Sequence, residues 1–284
     1  MNSSNKWILI PVILLAMSLI PFGDTAGKLM MQQGVSPIFV AWSRALIGAL
    51  CLLPFSGLRF AELSLFFDWR IVLRALLFVG AVTAVLQGIK TEPLANVFGA
   101  FFIAPILAYF LAALLLKEKI TKLRSILLLI GFIGALMVIK PGFGMTHGIG
   151  FAVLGGCFYG CLLVANRWLA DNYRPRFILV SALIIGALVM APFSIDSIPD
   201  LNTEISLLVL WSALASAVGN LLIIEVARKL SASVVAPFVY TQLIAATFFG
   251  YIVFDNLPDG LSLLGLLILL CSGFASFFVS NREK

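Results

Sequence analysis

Ten apolar stretches, each about as long as the hydrocarbon core of a bilayer is thick, follow one another along this chain with only short polar breaks. They cover residues 7–27, 37–57, 71–89, 95–115, 122–140, 147–166, 177–194, 205–224, 232–253 and 260–280, and the breaks are 5 to 13 residues long. A spanning helix needs about 20 mainly apolar residues, so the pattern predicts an all-α integral membrane protein of ten transmembrane helices. The 284 residues leave no room for a separate soluble domain. Only 11% of the residues are charged and 62% are hydrophobic, whereas a soluble chain is about one quarter charged. The outer surface of such a chain is compatible with lipid and not with water. Lys6 and the apolar run after it resemble a signal peptide, but the run continues to about Ala26 without a small-residue cleavage site, so a first transmembrane helix is expected there.

The basic balance, 19 Lys and Arg against 13 Asp and Glu, reads as membrane topology and not as nucleic-acid binding, because cations collect in cytoplasmic loops. With the N-terminus inside, the inner segments hold fifteen cations. These are Lys6; Arg59, Arg70 and Arg74; Lys117, Lys119, Lys122 and Arg124; Arg167, Arg174 and Arg176; Arg228 and Lys229; Arg282 and Lys284. The outer segments hold three, Lys28, Lys90 and Lys140. This asymmetry predicts both termini in the cytoplasm and an even number of spans.

The sequence also repeats itself. Ile47-Gly48-Ala49-Leu50 is followed after three residues by Pro54-Phe55-Ser56, and Ile185-Gly186-Ala187-Leu188 after three by Pro192-Phe193-Ser194, an offset of 138 throughout. Pro37 and Phe39 match Pro175 and Phe177 at the same offset. Two halves are therefore expected, residues 1–141 and 142–284, each of five helices. An odd number of spans inserts the second half upside down relative to the first. Inverted repeats are a transporter architecture, with two nearly equivalent packings that open to opposite sides.

Polar groups at bilayer depth are expensive, on the order of 3 kcal/mol for a charge at the helix centre, so those present mark function or structural ties. Asp24 lies 17 residues beyond Trp7, roughly 25 Å along the first helix, and Arg44 lies 7 beyond Pro37, roughly 10 Å into the second. On antiparallel neighbours these depths are similar, so the two can pair, either as a polar anchor beside a substrate path or as a salt bridge that ties two helices. Gln87, Asn96, Asn166, Asn220, Tyr240 and Gln242 lie within or at the ends of spans, where such groups line a cavity or bond other helices. Tyr109 and Tyr159 are placed either to present aromatic faces to a substrate or to lie near a membrane interface. Asp24, Arg44, the six uncharged residues from Gln87 to Gln242 and Tyr159 form the candidate substrate-binding set of nine. Pro105 and Pro237 fall inside the fourth and ninth stretches, where proline removes a backbone bond and kinks a helix.

Several features argue against other chemistries. Cys51, Cys157, Cys161 and Cys271 all lie in apolar runs and His147 is the single histidine, so no disulfide framework, metal site or cofactor is expected. No Gly-x-x-x-x-Gly-Lys-Ser/Thr motif is present, and no cluster of acids or Ser–His arrangement that a membrane-embedded enzyme would use. A channel would repeat a pore lining around an oligomer axis, which a ten-helix inverted repeat fits less well.

Against this background the chain resembles the drug/metabolite transporter superfamily, in its ten-helix branch of paired EamA-type domains. Lys28, then Gly34-Val35-Ser36-Pro37, then Arg44 is similar to the family's passage from helix one to helix two. Pro105, followed by Glu118 in Lys117-Glu118-Lys119-Ile120-Thr121, is similar to its fourth helix and short cytoplasmic turn, and Gly131 and Gly134 to its fifth helix. Ile20-Pro21 departs from it, standing where the family often carries Trp-Gly. The resemblance implies a bacterial inner-membrane secondary transporter, monomeric or homodimeric, whose partners are a small-molecule substrate and membrane lipid. It further implies a central cavity between helices one to four and six to nine, with helices five and ten as outer supports. Many bacterial members resemble exporters of amino acids and related metabolites, so export of such a compound is expected; uptake of a vitamin such as riboflavin is the alternative on the same fold.

Overall fold

The computed structural model describes residues 4–118, 121–139, 146–230, 235–255 and 260–282. Every regular element among them is helical: α1 (Ser4–Gln32), α2 (Pro37–Ser56), α3 (Trp69–Thr91), α4 (Leu94–Phe101), α5 (Ile103–Leu116), α6 (Lys122–Ile139), α7 (His147–Leu169), α8 (Pro175–Ser194), α9 (Thr203–Ala227), α10 (Thr241–Phe254) and α11 (Gly260–Arg282). Short 3-10 segments cover Phe60–Phe67, Ile195–Ser197 and Ala236–Tyr240. The start of the ninth stretch (232–234) and Lys119, Lys140 and Lys284 lie outside the described residues.

Local chemistry sets the helix ends. α2 starts at Pro37, whose missing N–H costs nothing at a first helical position. Ser36 before it accepts from the Ile38 N–H through Oγ at 3.3 Å. Gly34, at φ 87°, turns the chain from α1 into this cap, a left-handed conformation that favours glycine. Asn202 caps α9 in the same manner, its Oδ1 accepting from the Ile205 N–H at 2.7 Å.

Seven helical stretches among the described residues are long and apolar enough to cross a membrane. These are Leu9–Gln32, Pro37–Ser56, Trp69–Thr91, Leu94–Leu116, His147–Leu169, Pro175–Ser197 and Thr203–Ala227; Phe238–Phe254 and Leu263–Gly273 are shorter apolar helices. Large apolar side chains such as Phe55, Leu114, Leu188 and Phe193 are exposed on the outside, which lipid accommodates and water does not.

The expectation of ten transmembrane helices is corrected in one respect: the described residues form eleven α-helices, because the fourth stretch, where Pro105 predicts a kink, is broken at Phe102. Pro105 has no N–H to donate to Phe101, and its ring crowds that carbonyl. The chain tightens instead, with the Phe102 N–H bonded to Gly99 O at 3.1 Å. The break packs on α7 at Gly156 and Gly160. A Cβ at Gly156 would lie 2.4 Å from Phe101 O, and one at Gly160 would lie 2.8 Å from Ala104 O. Small residues here allow the carbonyls of one helix to approach the backbone of the next.

The helices of the two halves interleave. α1 packs on α9 and α10, α3 on α7 and α8, α2 on α8 and α9, α5 on α7, and α6 on α11. Trp42 on α2 donates from Nε1 to Ala187 O on α8 at 3.1 Å. The secondary structure keeps the offset of 138: α2 and α8 begin and end that far apart, as do α5 and α10. The left-handed residues that end α5 and α10, Lys117 (φ 54°) and Asp255 (φ 55°), are also 138 apart.

Candidate functional site: a buried ion pair beside a small cavity

Asp24 on α1 and Arg44 on α2 meet inside the bundle, 2% and 5% exposed. Arg44 Nη1 donates to Asp24 Oδ1 at 2.5 Å, Nη2 to Gly23 O at 2.8 Å and Nε to Ser212 Oγ of α9 at 2.5 Å. Ser212 Oγ in turn donates to Gly23 O at 3.0 Å. Each nitrogen of the guanidinium therefore has an acceptor, as a buried charge requires. A single arginine ties α1, α2 and α9 together.

This pair forms part of the wall of a cavity of about 40 Å³. The other walls come from Phe78 and Val85 of α3, Phe98 and Phe101 of α4, Tyr159 and Leu162 of α7, Ser216 and Asn220 of α9 and Gln242 of α10. Seven helices converge on it, while α6 and α11 contribute no lining residue and pack on each other. A water needs about 10–15 Å³ of such space, so the volume accommodates a few waters and not a metabolite.

The polar groups of the lining are few and specifically placed. Gln242 is fully buried; its Nε2 donates to Tyr159 Oη at 3.3 Å and to Met17 Sδ at 3.1 Å, while its Oε1 has no partner. An amide oxygen at such a cavity can accept from a water or from a ligand N–H. Tyr159 accepts from Gln242, which leaves its hydroxyl proton as a donor, and its ring lies 5.0 Å from that of Phe101. Asn220 Nδ2 donates to Ser216 O at 2.8 Å, one turn back on α9. The cavity thus presents a carboxylate, a guanidinium, an amide oxygen and a phenol against aromatic walls.

Of the nine candidates from sequence, Asp24, Arg44, Tyr159, Asn220 and Gln242 line this cavity. Gln87 on α3 and Asn96 on α4 are half-buried and outside its lining. Tyr240 is fully buried but ties helices: its hydroxyl donates to Leu128 O of α6 at 3.1 Å, and its ring packs 5.1 Å from Phe102. Asn166 accepts from Arg74 Nε at 3.0 Å. Arg74 is counted with the cytoplasmic cations by sequence, yet it is 1% exposed. Its Nη1 donates to Ile178 O at 3.2 Å, and its guanidinium lies 5.5 Å from the Phe78 ring. Burial follows from the packing of the start of α3 against both α7 and α8. Ser212 and the aromatic walls Phe78, Phe98 and Phe101 went unrecognised from sequence. A serine or phenylalanine in an apolar run carries no signal of the helix it faces.

The fold is that of a helical, multi-pass membrane protein with a small, largely apolar cavity, set with a few polar side chains, among seven of its helices. Residues 7–140 and 146–278 each match the model of the EamA-like transporter family, and the chain belongs to that family. A solved crystal structure matches the fold with a TM-score of 0.76 over the whole of both chains at 16% identity. Among similar proteins is an S-adenosylmethionine uptake transporter of Rickettsia felis, 25% identical over 86% of this chain and 83% of its own. An uncharacterized transporter of Helicobacter pylori is 30% identical but covers 60% of each chain. A pseudopaline exporter of Pseudomonas aeruginosa is 27% identical over 63% of this chain and 65% of its own.

Proposed function

We propose that this chain is a secondary transporter that carries a small metabolite, an amino acid or a derivative of one, across a bacterial inner membrane by alternating access, with export as the net direction. The carrying observation is the Asp24–Arg44 pair in the cavity wall, close to the unpaired Oε1 of Gln242. A zwitterion offers a carboxylate to the guanidinium and N–H donors to Asp24 and Gln242. Phe78, Phe98 and Phe101 offer apolar contact to the remainder of such a molecule.

Alternating access needs two nearly equivalent packings. In our reading residues 1–141 and 142–284 are inverted repeats of five spans each, with α4 and α5 forming one broken span, and both termini are cytoplasmic. The pairing of helices supports this. The contact of α1 with α9 has its counterpart in α3 with α7, that of α1 with α10 in α5 with α7, and that of α2 with α9 in α3 with α8. Rocking one set against the other would widen the small cavity towards one side at a time.

The test is transport by purified protein in liposomes. Saturable uptake of a labelled amino acid with accelerated exchange against the same compound inside supports the carrier. Unsaturable conductance would make it a channel, and product formation an enzyme. The Rickettsia relatives favour a second reading, uptake of S-adenosylmethionine, because one matches over 86% of this chain. A thermal-shift screen with amino acids, S-adenosylmethionine and riboflavin decides among substrates, since a bound ligand raises the melting temperature by mass action. Accumulation in cells against efflux from them decides direction.

A further inference from the structure

A second cavity lies on the flank of the bundle, away from the Asp24–Arg44 pair. It has a volume of about 560 Å³ and is lined by side chains of α3, α5 and α7, almost all aliphatic. Cys161, Val164, Ala165 and Trp168 form its floor, at the spacing of one stripe along α7. Leu73 and Leu77 of α3 make one wall, and Leu111 and Leu115 of α5 make the other. Leu73 and Leu115 are exposed, so the groove is open to its surroundings. It extends to the ends of its helices, because Leu116 is the last residue of α5 and Trp168 the last but one of α7.

That end carries a cation set against two aromatic rings. The Arg70 guanidinium lies 5.8 Å from the Trp69 ring and 5.5 Å from the Trp168 ring, and the two indoles are 5.7 Å apart. Arg70 is exposed and makes no ion pair among the described residues. Its nearest acidic neighbour in sequence, Asp68, accepts from the Tyr173 hydroxyl and the Arg70 backbone N–H, and the exposed Arg70 side chain interacts with both Asp68 and Tyr173. Exposed Lys117 follows Leu116 at the end of the other wall. Trp168 belongs to both features: it is the floor of the apolar groove at its end and one of the rings against the cation. Tryptophan is the residue of choice where an apolar body must meet a wet, polar boundary.

We propose that this groove is a binding site for one anionic phospholipid, with an acyl chain along the α7 stripe and the phosphate on Arg70. The apolar floor is a single stripe wide, which fits an extended hydrocarbon chain and not a second helix about 10 Å across. The exposed Arg70 guanidinium, with five donors of which Asp68 and Tyr173 engage only some, supplies the charge complement of a phosphate, and a cation near a membrane surface favours anionic lipid by about fivefold. The site is independent of substrate and direction, because it requires only that the chain lie in a bilayer.

The experiment is native mass spectrometry of the whole protein in detergent, titrated with phosphatidylglycerol, with phosphatidylcholine of identical chains, and with glycerol phosphate. One phosphatidylglycerol is expected to be retained at about fivefold lower concentration than phosphatidylcholine, and glycerol phosphate not at all. Arg70→Gln is expected to equalise the two lipids, and Ala165→Trp, which fills the groove, to remove both. Equal retention of the two lipids by the unaltered protein, or unchanged preference in Arg70→Gln, would overturn the proposal. Binding of glycerol phosphate at the same concentration as the lipid would make the site a headgroup site alone and overturn it too. A measurement on unaltered protein covers the case of a variant that does not fold. Cys161 lies in the floor, half-buried and unbonded, so phosphatidylglycerol must slow its alkylation, mapped by peptide mass. Alkylation at an unchanged rate with lipid bound would place that lipid elsewhere.

Discussion

Arg44 and Asp24 stand 2.5 Å apart across two helices, buried in the wall of the cavity, and Ser212 from the other half of the chain completes the cluster. Breaking a buried pair from one side leaves a charge without a partner, which costs about 3–5 kcal/mol. Asp24→Ala and Arg44→Ala are each expected to lower the melting temperature in detergent and to abolish transport in liposomes while still inserting in the membrane. The double replacement Asp24→Leu with Arg44→Met removes both charges and is expected to recover most of the stability but none of the transport. Normal transport by both single variants would refute the role of the pair in the substrate path.

Arg74 depends on neutral acceptors, the side chain of Asn166 and the carbonyl of Ile178. Asn166→Val removes a hydrogen bond to a charged group, expected to cost about 1.5–3 kcal/mol in thermal unfolding. Asn166→Asp supplies a carboxylate at the same position and is expected to be tolerated far better. Equal destabilisation by both would show that shape, and not the charge of Arg74, governs this position.

Gly156 faces the carbonyl of Phe101 at the break between α4 and α5. Gly156→Ala places a Cβ 2.4 Å from that oxygen, and such overpacking is expected to cost about 1–3 kcal/mol. At Gly150, on the same helix, a Cβ would meet nothing within 4 Å, and Gly150→Ala is expected to be neutral or slightly stabilising. Thermal unfolding of the two variants side by side checks the contrast.

Glu62, in the segment between α2 and α3, accepts from Arg174 Nε at 2.8 Å and also from its Nη2. The hydrogen bond from Arg174 holds the Glu62 carboxyl below its ordinary value of 4.5. A carboxyl depressed in the folded state contributes stability that is complete above the ordinary value and lost as pH falls through the lowered one. Glu62→Gln is therefore expected to lower the melting temperature at neutral pH, with a loss of stability of about 1 kcal/mol or less because the Arg174 partner is 38% exposed. The gap to the unaltered protein is expected to close below pH 4.5. A gap independent of pH would assign the effect to packing.

The apolar runs, the offset of 138 between α2 and α8, and the presence of Asp24 and Arg44 at membrane depth were all legible in the chain, because each depends on the composition of one helix or on spacing within it. Glycine and proline were legible in part: Pro105 announced a disturbance, but not that the helix would divide at Phe102, since that depends on how the freed carbonyls find room on α7. Tertiary structure alone separated Gln242 and Asn220, which line the cavity, from Asn166 and Tyr240, which tie helices. It alone buried Arg74 and brought Ser212 to Arg44. A hydropathy pattern records how a side chain partitions between water and lipid; it holds no information on which neighbouring helix a side chain faces, and that choice is made only when the helices pack.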